Sequence, residues 1–294
     1  MTDKMNQDLL HRYLFDKHHV RGELVQVNES FNAMLENHNY PEVVKKVLGE
    51  LLSATCLLTA TLKFEGDISV QLQGDGPLQY AVVNGNHEQK MRAVARFNDQ
   101  VQGETIQDLF GKGYMVITIS PLGGEKYQGV APLDHPTLAQ CIEHYFETSE
   151  QLSTRVWLAT SLTEQDNKAA GMLLQVLPVE DKAEQDFQHL EALTATIKDE
   201  EMLDLPAEQV LVRLYHEDNP QLFAPQPVCY ECGCSREKTA DAILKLSHED
   251  ANALIEERGN IEIICQFCLT QYLFDAVDVD ALFNNASENS STIN

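Results

Sequence analysis

Five of the seven cysteines fall in the last quarter of this 294-residue chain: Cys229, Cys232, Cys234, Cys265 and Cys268. Cys232 and Cys234 form a C-x-C pair, and Cys265 and Cys268 form a C-x-x-C pair after thirty intervening residues. Two close pairs of soft thiolates on separate arms suit the tetrahedral preference of zinc, so the spacing predicts one zinc ion on Cys232, Cys234, Cys265 and Cys268. Four thiolates leave no open coordination position, which argues against activation of a bound water and against hydrolase chemistry. A module of about sixty residues rarely has more than about 3–5 kcal/mol of core stability, whereas structural zinc contributes about 10–16 kcal/mol. The fold of such a module is expected to depend on its metal.

The spacing leaves two uses of the site open. One is an inert structural zinc, which spacing alone favours. The other is a redox switch: oxidants attack thiolates, a sulfenic acid beside a second thiol condenses to a disulfide, and the metal loses its donors. A C-x-C disulfide closes a small strained ring, and strained bridges are the more easily reduced, which suits a reversible device. Cys229 could compete as ligand or thiol partner, although a redundant surface thiol is the plainer reading. Cys56 and Cys141 fall within predicted helices and are read as small buried apolar side chains.

The elements that must carry these residues can be read from pattern. Gly22–Val27 alternates as a strand, and Asn39-Tyr40-Pro41 opens a long helix running to about Lys63. That helix is apolar nearly all round through Ala54–Leu58, as expected of a helix buried inside a domain. Ile68–Gln73 and Leu78–Val83 form a hairpin across Gly74-Asp75-Gly76-Pro77, and Tyr114–Ile119 with Tyr127–Val130 form another. A helix over Thr137–Gln151 and strands over Arg155–Ala159 and Gly171–Val176 complete an α+β domain of residues 1–178. An acidic helical linker, 179–228, follows. Between Val179 and Asp218 it carries twelve acids against three bases, yet Phe187, Leu190, Leu193, Ile197 and Met202 keep near-helical spacing. A thin apolar stripe with a charged back describes a helix that depends on a partner surface. Residues 229–285 form the small zinc module: helices over Lys238–Leu246 and Glu249–Arg258, a stop at Gly259, a strand over Glu262–Ile264 and a further element over Leu269–Phe283. A polar tail, 286–294, is expected to fray.

With 46 acidic against 21 basic side chains the formal charge is −25, a surface that repels phosphate backbones and anionic membranes. Neither nucleic acid nor a membrane is an expected partner. The first twenty residues are interrupted by Asp3, Lys4, Asp8, Arg12 and Asp16, unlike a secretory signal, and no apolar run is long enough to span a bilayer. A cytoplasmic location follows as the expectation, where reductants keep clustered thiols free for metal or redox chemistry.

Cys232-Gly-Cys234-Ser-Arg-Glu and Cys265-Gln-Phe-Cys268 followed by Tyr272-Leu-Phe closely resemble the C-terminal zinc module of the bacterial redox-regulated chaperones of the thirty-three-kilodalton heat-shock family. The likeness continues through His11-Arg-Tyr-Leu-Phe, Arg21-Gly-Glu-Leu-Val, Leu58-Thr-Ala-Thr-Leu-Lys-Phe, Val70-Gln-Leu-Gln-Gly-Asp-Gly-Pro and Gly171-Met-Leu-Leu-Gln-Val, in family order. The resemblance implies an ATP-independent holdase and no enzyme: inactive when reduced and zinc-bound, and active after oxidation. It implies pairing of Cys232 with Cys234 and of Cys265 with Cys268, loss of zinc, and unfolding of the zinc module and linker. Unfolding client proteins would then bind the linker, with Phe187, Leu190, Leu193 and Ile197 as the client-binding stripe. It further implies a homodimer when oxidised, reduction by thioredoxin- or glutaredoxin-type reductants, and transfer of clients to ATP-dependent foldases. Cys229 departs from the family pattern, which requires no cysteine there, and bears on the assigned pairing.

Two other functions are weaker readings. A zinc-ribbon module for RNA would need a basic face, and only Arg236, Lys238, Lys245 and Arg258 are at hand among many acids. A thiol oxidoreductase built on Cys265-Gln-Phe-Cys268 would place the pair at a helix start in a βαβ unit, which the pattern does not suggest. Gly74-Asp-Gly-Pro and Gly123-Gly124 lack phosphate-loop spacing and read as turns, and His18-His19 as a solvated face.

Overall fold

Residues 8–62, 65–164, 166–178 and 183–291 are described by the structure, a computed structural model. The chain divides into two compact units, Met1–Glu231 and Cys232–Asn294. The expected helix end at Lys63, the linker start at 179–182 and the last residues, 292–294, lie outside the described residues.

The first unit opens with an antiparallel pair, β1 (Leu9–Phe15) and β2 (Val20–Val27), then α1 (Glu29–Leu35) and α2 (Glu42–Thr61). Pro41 stands at the N-cap of α2, where its missing N–H costs nothing. A meander of β3 (Gly66–Gln73), β4 (Leu78–Asn86) and β5 (Lys90–Phe97) leads through α3 (Ile106–Phe110) to the β6 (Tyr114–Pro121) and β7 (Tyr127–Pro132) hairpin. Next come α4 (Leu138–Tyr145), capped by Thr137 and prolonged by a π-helical turn over Phe146–Glu150, and the β8 (Thr154–Ser161) and β9 (Lys168–Val176) hairpin. Helices α5 (Ala183–Thr194), α6 (Asp199–Asp204) and α7 (Ala207–Tyr215) follow, then three two-residue strands, β10 (Gln221–Leu222), β11 (Gln226–Pro227) and β12 (Cys229–Tyr230).

These strands build two sheets. Sheet one runs β10-β1-β2-β9-β8, with β11 also on β1, and sheet two runs β12-β5-β4-β3-β6-β7. Helix α2 packs against strands of both, which is why its surface is apolar on every side. Sheet one is buried on both faces. Val25 and Val27 belong to the core around α2, whereas Val20 and Leu24 of the same strand belong to a second core under α5–α7.

That second core supplies the partner surface for the acidic stripe. Phe187 and Leu190 are buried with Met202, Leu211 and Tyr215 among Tyr13, Phe15, Leu174 and Met172 of the sheet, and Leu193 and Ile197 are partly buried at its margin. Gln26 of β2 donates to the carbonyls of Met202 and Leu205 at 2.7 and 2.8 Å, fixing α6 to the strand. His18 corrects the solvated-face reading of His18-His19: its Nδ1 lies 3.2 Å from Asp186 and its Nε2 3.6 Å from Asp218, carboxylates too distant in sequence for local pattern to reveal. His19 is exposed, as expected. Gly74 and Gly76 do lie in a turn, where an added Cβ would strike the backbone of Phe110 and Leu109. Among the described residues no helix is long and apolar enough to cross a membrane.

The second unit contains α8 (Arg236–Ile243), α9 (His248–Arg258), an antiparallel pair of β13 (Ile261–Ile264) and β14 (Gln271–Phe274), and α10 (Ala276–Ser291). Gly259, at φ +80°, ends α9 in the left-handed conformation. The element expected over Leu269–Phe283 is therefore a strand and then a helix, and α10 extends to Ser291 through most of the segment expected to fray. Among the described residues, the buried apolar side chains here are Ala240, Ile243, Ala251, Phe274 and Val279, a small core for a unit of this length. Cys229, counted with the zinc module from sequence, lies in the first unit, because β12 pairs with Lys90 and Met91 of β5.

Candidate metal centre

The C-x-C pair sits in the approach to α8. Gly233, between the two cysteines, has φ +65°, a backbone that side chains with a Cβ rarely adopt, so the reversal that brings both sulfurs to one side calls for glycine. Ser235 caps α8, its hydroxyl accepting from Lys238 N at 3.3 Å, and Lys238 Nζ donates to Gly233 O at 2.6 Å. The N-terminal end of α8 and the Lys238 ammonium therefore lie beside the C-x-C segment.

The C-x-x-C pair sits in the connection from β13 to β14. Leu269 N donates to Cys265 O at 2.9 Å and Cys265 N donates to Thr270 O at 3.0 Å, closing a tight turn in which Leu269 takes φ +57°. Arg236 ties this arm to the other: it donates to Leu273 O at 2.8 Å, pairs with Asp278 at 2.7 Å and covers the Phe274 ring at 4.3 Å.

The two arms bring all four sulfurs within 4.8 Å of one another. Cys232 Sγ lies 3.5 Å from Cys265 Sγ, and Cys234 Sγ lies 3.4 Å from Cys268 Sγ. A tetrahedron with metal–sulfur bonds of about 2.3 Å has edges of about 3.8 Å, so the cluster has the size and the soft donors for one zinc-like ion. All six sulfur pairs are close, and proximity does not select among possible disulfides. Tyr272 donates to Cys234 Sγ at 3.1 Å, and Thr270 Oγ1 is 3.2 Å from Cys268 Sγ. Burial pushes the Cys232 and Cys234 thiols up; at Cys268 burial is outweighed by hydrogen bonds with Thr270 and the neighbouring thiols, which bring it down to about 6. Tyr272 is pushed up to about 12 by its bond to Cys234.

The other cysteines are elsewhere. Cys56 and Cys141 are buried, and burial pushes both thiols up. Cys229 is exposed and stands outside the four-sulfur cluster. The sequence reading missed Thr270 as a cluster neighbour and Arg236 as the tie between arms. For Thr270 the available signal was its place two residues after Cys268; the Arg236 contacts depend on a fold that brings positions 236 and 278 together.

The family model described as Hsp33 protein matches residues 8–275, nearly the whole chain. The chain belongs to the Hsp33 family. Among curated relatives it is 59% identical to the 33 kDa chaperonin of Pseudoalteromonas translucida over 95% of this chain and 100% of that one. It is 53% identical to the 33 kDa chaperonin of Yersinia pestis over 98% and 99% of the two chains. The crystal structure of the 33 kDa chaperonin of Thermotoga maritima, a heat shock protein 33 homolog, superposes with a TM-score of 0.85 at 20% identity, covering 96% of this chain and 100% of that one, so the fold is shared. Hsp33 membership makes the chain a chaperone rather than an enzyme. It also bears out the α+β reading and the placement of a four-cysteine cluster in the C-terminal unit.

Proposed function

We propose that this Hsp33-family chaperone is an ATP-independent holdase switched by oxidation of its four-cysteine cluster. In the reduced state Cys232, Cys234, Cys265 and Cys268 hold one zinc ion, which supplies the stability that the small apolar core of the second unit lacks. Oxidation pairs Cys232 with Cys234 and Cys265 with Cys268. Each pair of zinc-bound thiolates gives up two electrons, and each equivalent of peroxide that accepts them takes two protons from solvent and becomes two waters. Thiolates joined as disulfides no longer serve as donors, so zinc is released and the second unit unfolds. The acidic segment then leaves sheet one and presents Phe187, Leu190, Leu193 and Ile197 to unfolding clients, while its carboxylates keep the complex dissolved.

The observation that carries this reading is the convergence of four thiols in a unit with too little buried apolar surface to fold well without a metal. A redox-inert zinc ion leaves the sulfurs as the source of electrons, which suits a switch better than an iron site of the same geometry. The proposal extends to reduction by thioredoxin- or glutaredoxin-type proteins, hand-over of clients to ATP-dependent foldases, a homodimer in the oxidised state and a cytoplasmic location. The RNA-binding alternative loses ground because Arg236 and Lys238, the bases nearest the cysteines, are engaged within the unit.

The test follows zinc release and light scattering of an unfolding client together, before and after peroxide at mildly elevated temperature, with dithiothreitol reversal and no ATP. Joint appearance of free zinc and client protection supports the switch. Zinc that stays bound, or leaves with no gain in protection, reduces the site to a structural one.

A further inference from the structure

Sheet two ends at β7, and no strand among the described residues pairs with its far edge. In an antiparallel ladder alternate residues bond to the partner strand and those between them point away. Leu133 N donates to Gly113 O at 2.9 Å, in register with Met115 opposite Ala131 and Ile117 opposite Gly129, so the odd-numbered residues of β7 are those bonded to β6. The N–H and C=O groups of Gln128 and Val130, with the C=O of Pro132, are therefore directed outward.

Exposed edges are usually blunted by charge, by inward-pointing ionised groups or by cover. The sequence of β7, Tyr-Gln-Gly-Val-Ala-Pro, has no ionised side chain, in a protein with 46 acids and 21 bases. Only its brevity and Pro132 limit it. Val130 is 60% exposed and sits opposite Val116, while Tyr114, 40% exposed, sits opposite Pro132. A strand laid along this edge would meet main-chain donors and acceptors flanked by apolar side chains. Main-chain bonding of this kind recognises an extended polypeptide whatever its sequence. The absence of charge favours an apolar segment.

We infer that β7 is a docking edge for extended segments of unfolding client proteins, which add to sheet two through Gln128 and Val130. The inference rests on the chaperone reading above and names a second client surface beside the acidic helices. This edge belongs to sheet two, whereas α5–α7 cover sheet one, so it does not require their release. Two outward-facing residues hold a client weakly, and the edge adds to the released helices rather than replacing them.

The test uses the oxidised full-length chain with guanidine-unfolded luciferase as client. Val130→Pro removes an outward N–H that the β6–β7 ladder does not use, and Val130→Thr keeps it. The proline variant is expected to need about threefold more protein for half-suppression of light scattering, with the threonine variant unchanged. Amide exchange at Gln128 and Val130 of the wild type is expected to slow about tenfold in the client complex, a readout that stands even if the proline variant misfolds. Unchanged exchange at both amides, or a folded proline variant as protective as wild type, overturns the proposal. Protection of both amides without client, rising with protein concentration, assigns the edge to a second copy of the chain and likewise overturns it. A wild type that suppresses no scattering counts against the switch reading instead, because exchange at the two amides reports on the edge directly.

Discussion

Leu190→Ala tests whether α5–α7 form a unit that can leave sheet one while the rest of the first unit stays folded. Leu190 has no exposed surface and lies in the core that joins these helices to Tyr13, Leu174 and Met172. Truncating a buried leucine to alanine costs about 2–5 kcal/mol, and a value of about 3 is reasonable where helices can partly close the gap. If the helices open as one local unit, this cost falls on the docked state alone. At about 1.4 kcal/mol per factor of ten, the undocked population rises about 100-fold. Amide hydrogen exchange of the reduced protein measures this directly: protection across residues 187–194 and 207–215 should fall about 100-fold, with that of α2 unchanged. The reduced variant should also protect an unfolding client where the reduced wild type does not. A parallel fall of protection in α5 and α2 would refute the reasoning, since the segment would then open only with the whole unit. Unchanged protection in α5 would refute it as well.

Three further outcomes are expected. Gly233→Ala places a Cβ at φ +65°, which costs about 1–2 kcal/mol, so competition with a chelator should show zinc held about 5- to 30-fold more weakly. Cys229→Ser should leave zinc stoichiometry and the oxidised thiol count of the cluster unchanged, since Cys229 stands outside it; a fall in either would bring Cys229 into the site. Glu23 is buried, and desolvation, partly opposed by Arg21 and Arg12, raises its carboxyl to about 7. Its folded pKa lies above the unfolded one, so the native state binds the extra proton and stability falls as pH rises from about 4.5 to about 7, by about 3 kcal/mol for this group. Urea denaturation should show Glu23→Gln gaining on wild type across that window, and a gain independent of pH would disprove the assignment.

The chemistry of this protein was more legible than its topology. Cysteine spacing marked the four-sulfur cluster because close thiol pairs are local in sequence, and α2 announced its burial by being apolar on all sides. β1 escaped notice for the opposite reason. Leu9–Phe15 belongs to a sheet covered on both faces, so its residues do not alternate between apolar and polar. The turn before β5 was hidden because Gln89, not glycine, occupies its left-handed position at φ +59°. Two-residue strands such as β10 and β11 carry no pattern at all, and the His18 pairs and the Arg236 tie join residues far apart in sequence.

The pairing of β10 and β11 with the outer edge of β1 changes the polymer physics of release. So long as those pairs persist, a segment that leaves the sheet is anchored at Val176 on one side and at Gln221 on the other, and moves as a loop rather than a free tail. Closing such a loop costs an entropy that grows only slowly with its length, while the local concentration of helix over sheet stays on the order of millimolar. On the switch proposed above, recapture after reduction is a first-order event, independent of dilution, and a client held on the loop competes against that fixed concentration rather than against the protein in solution.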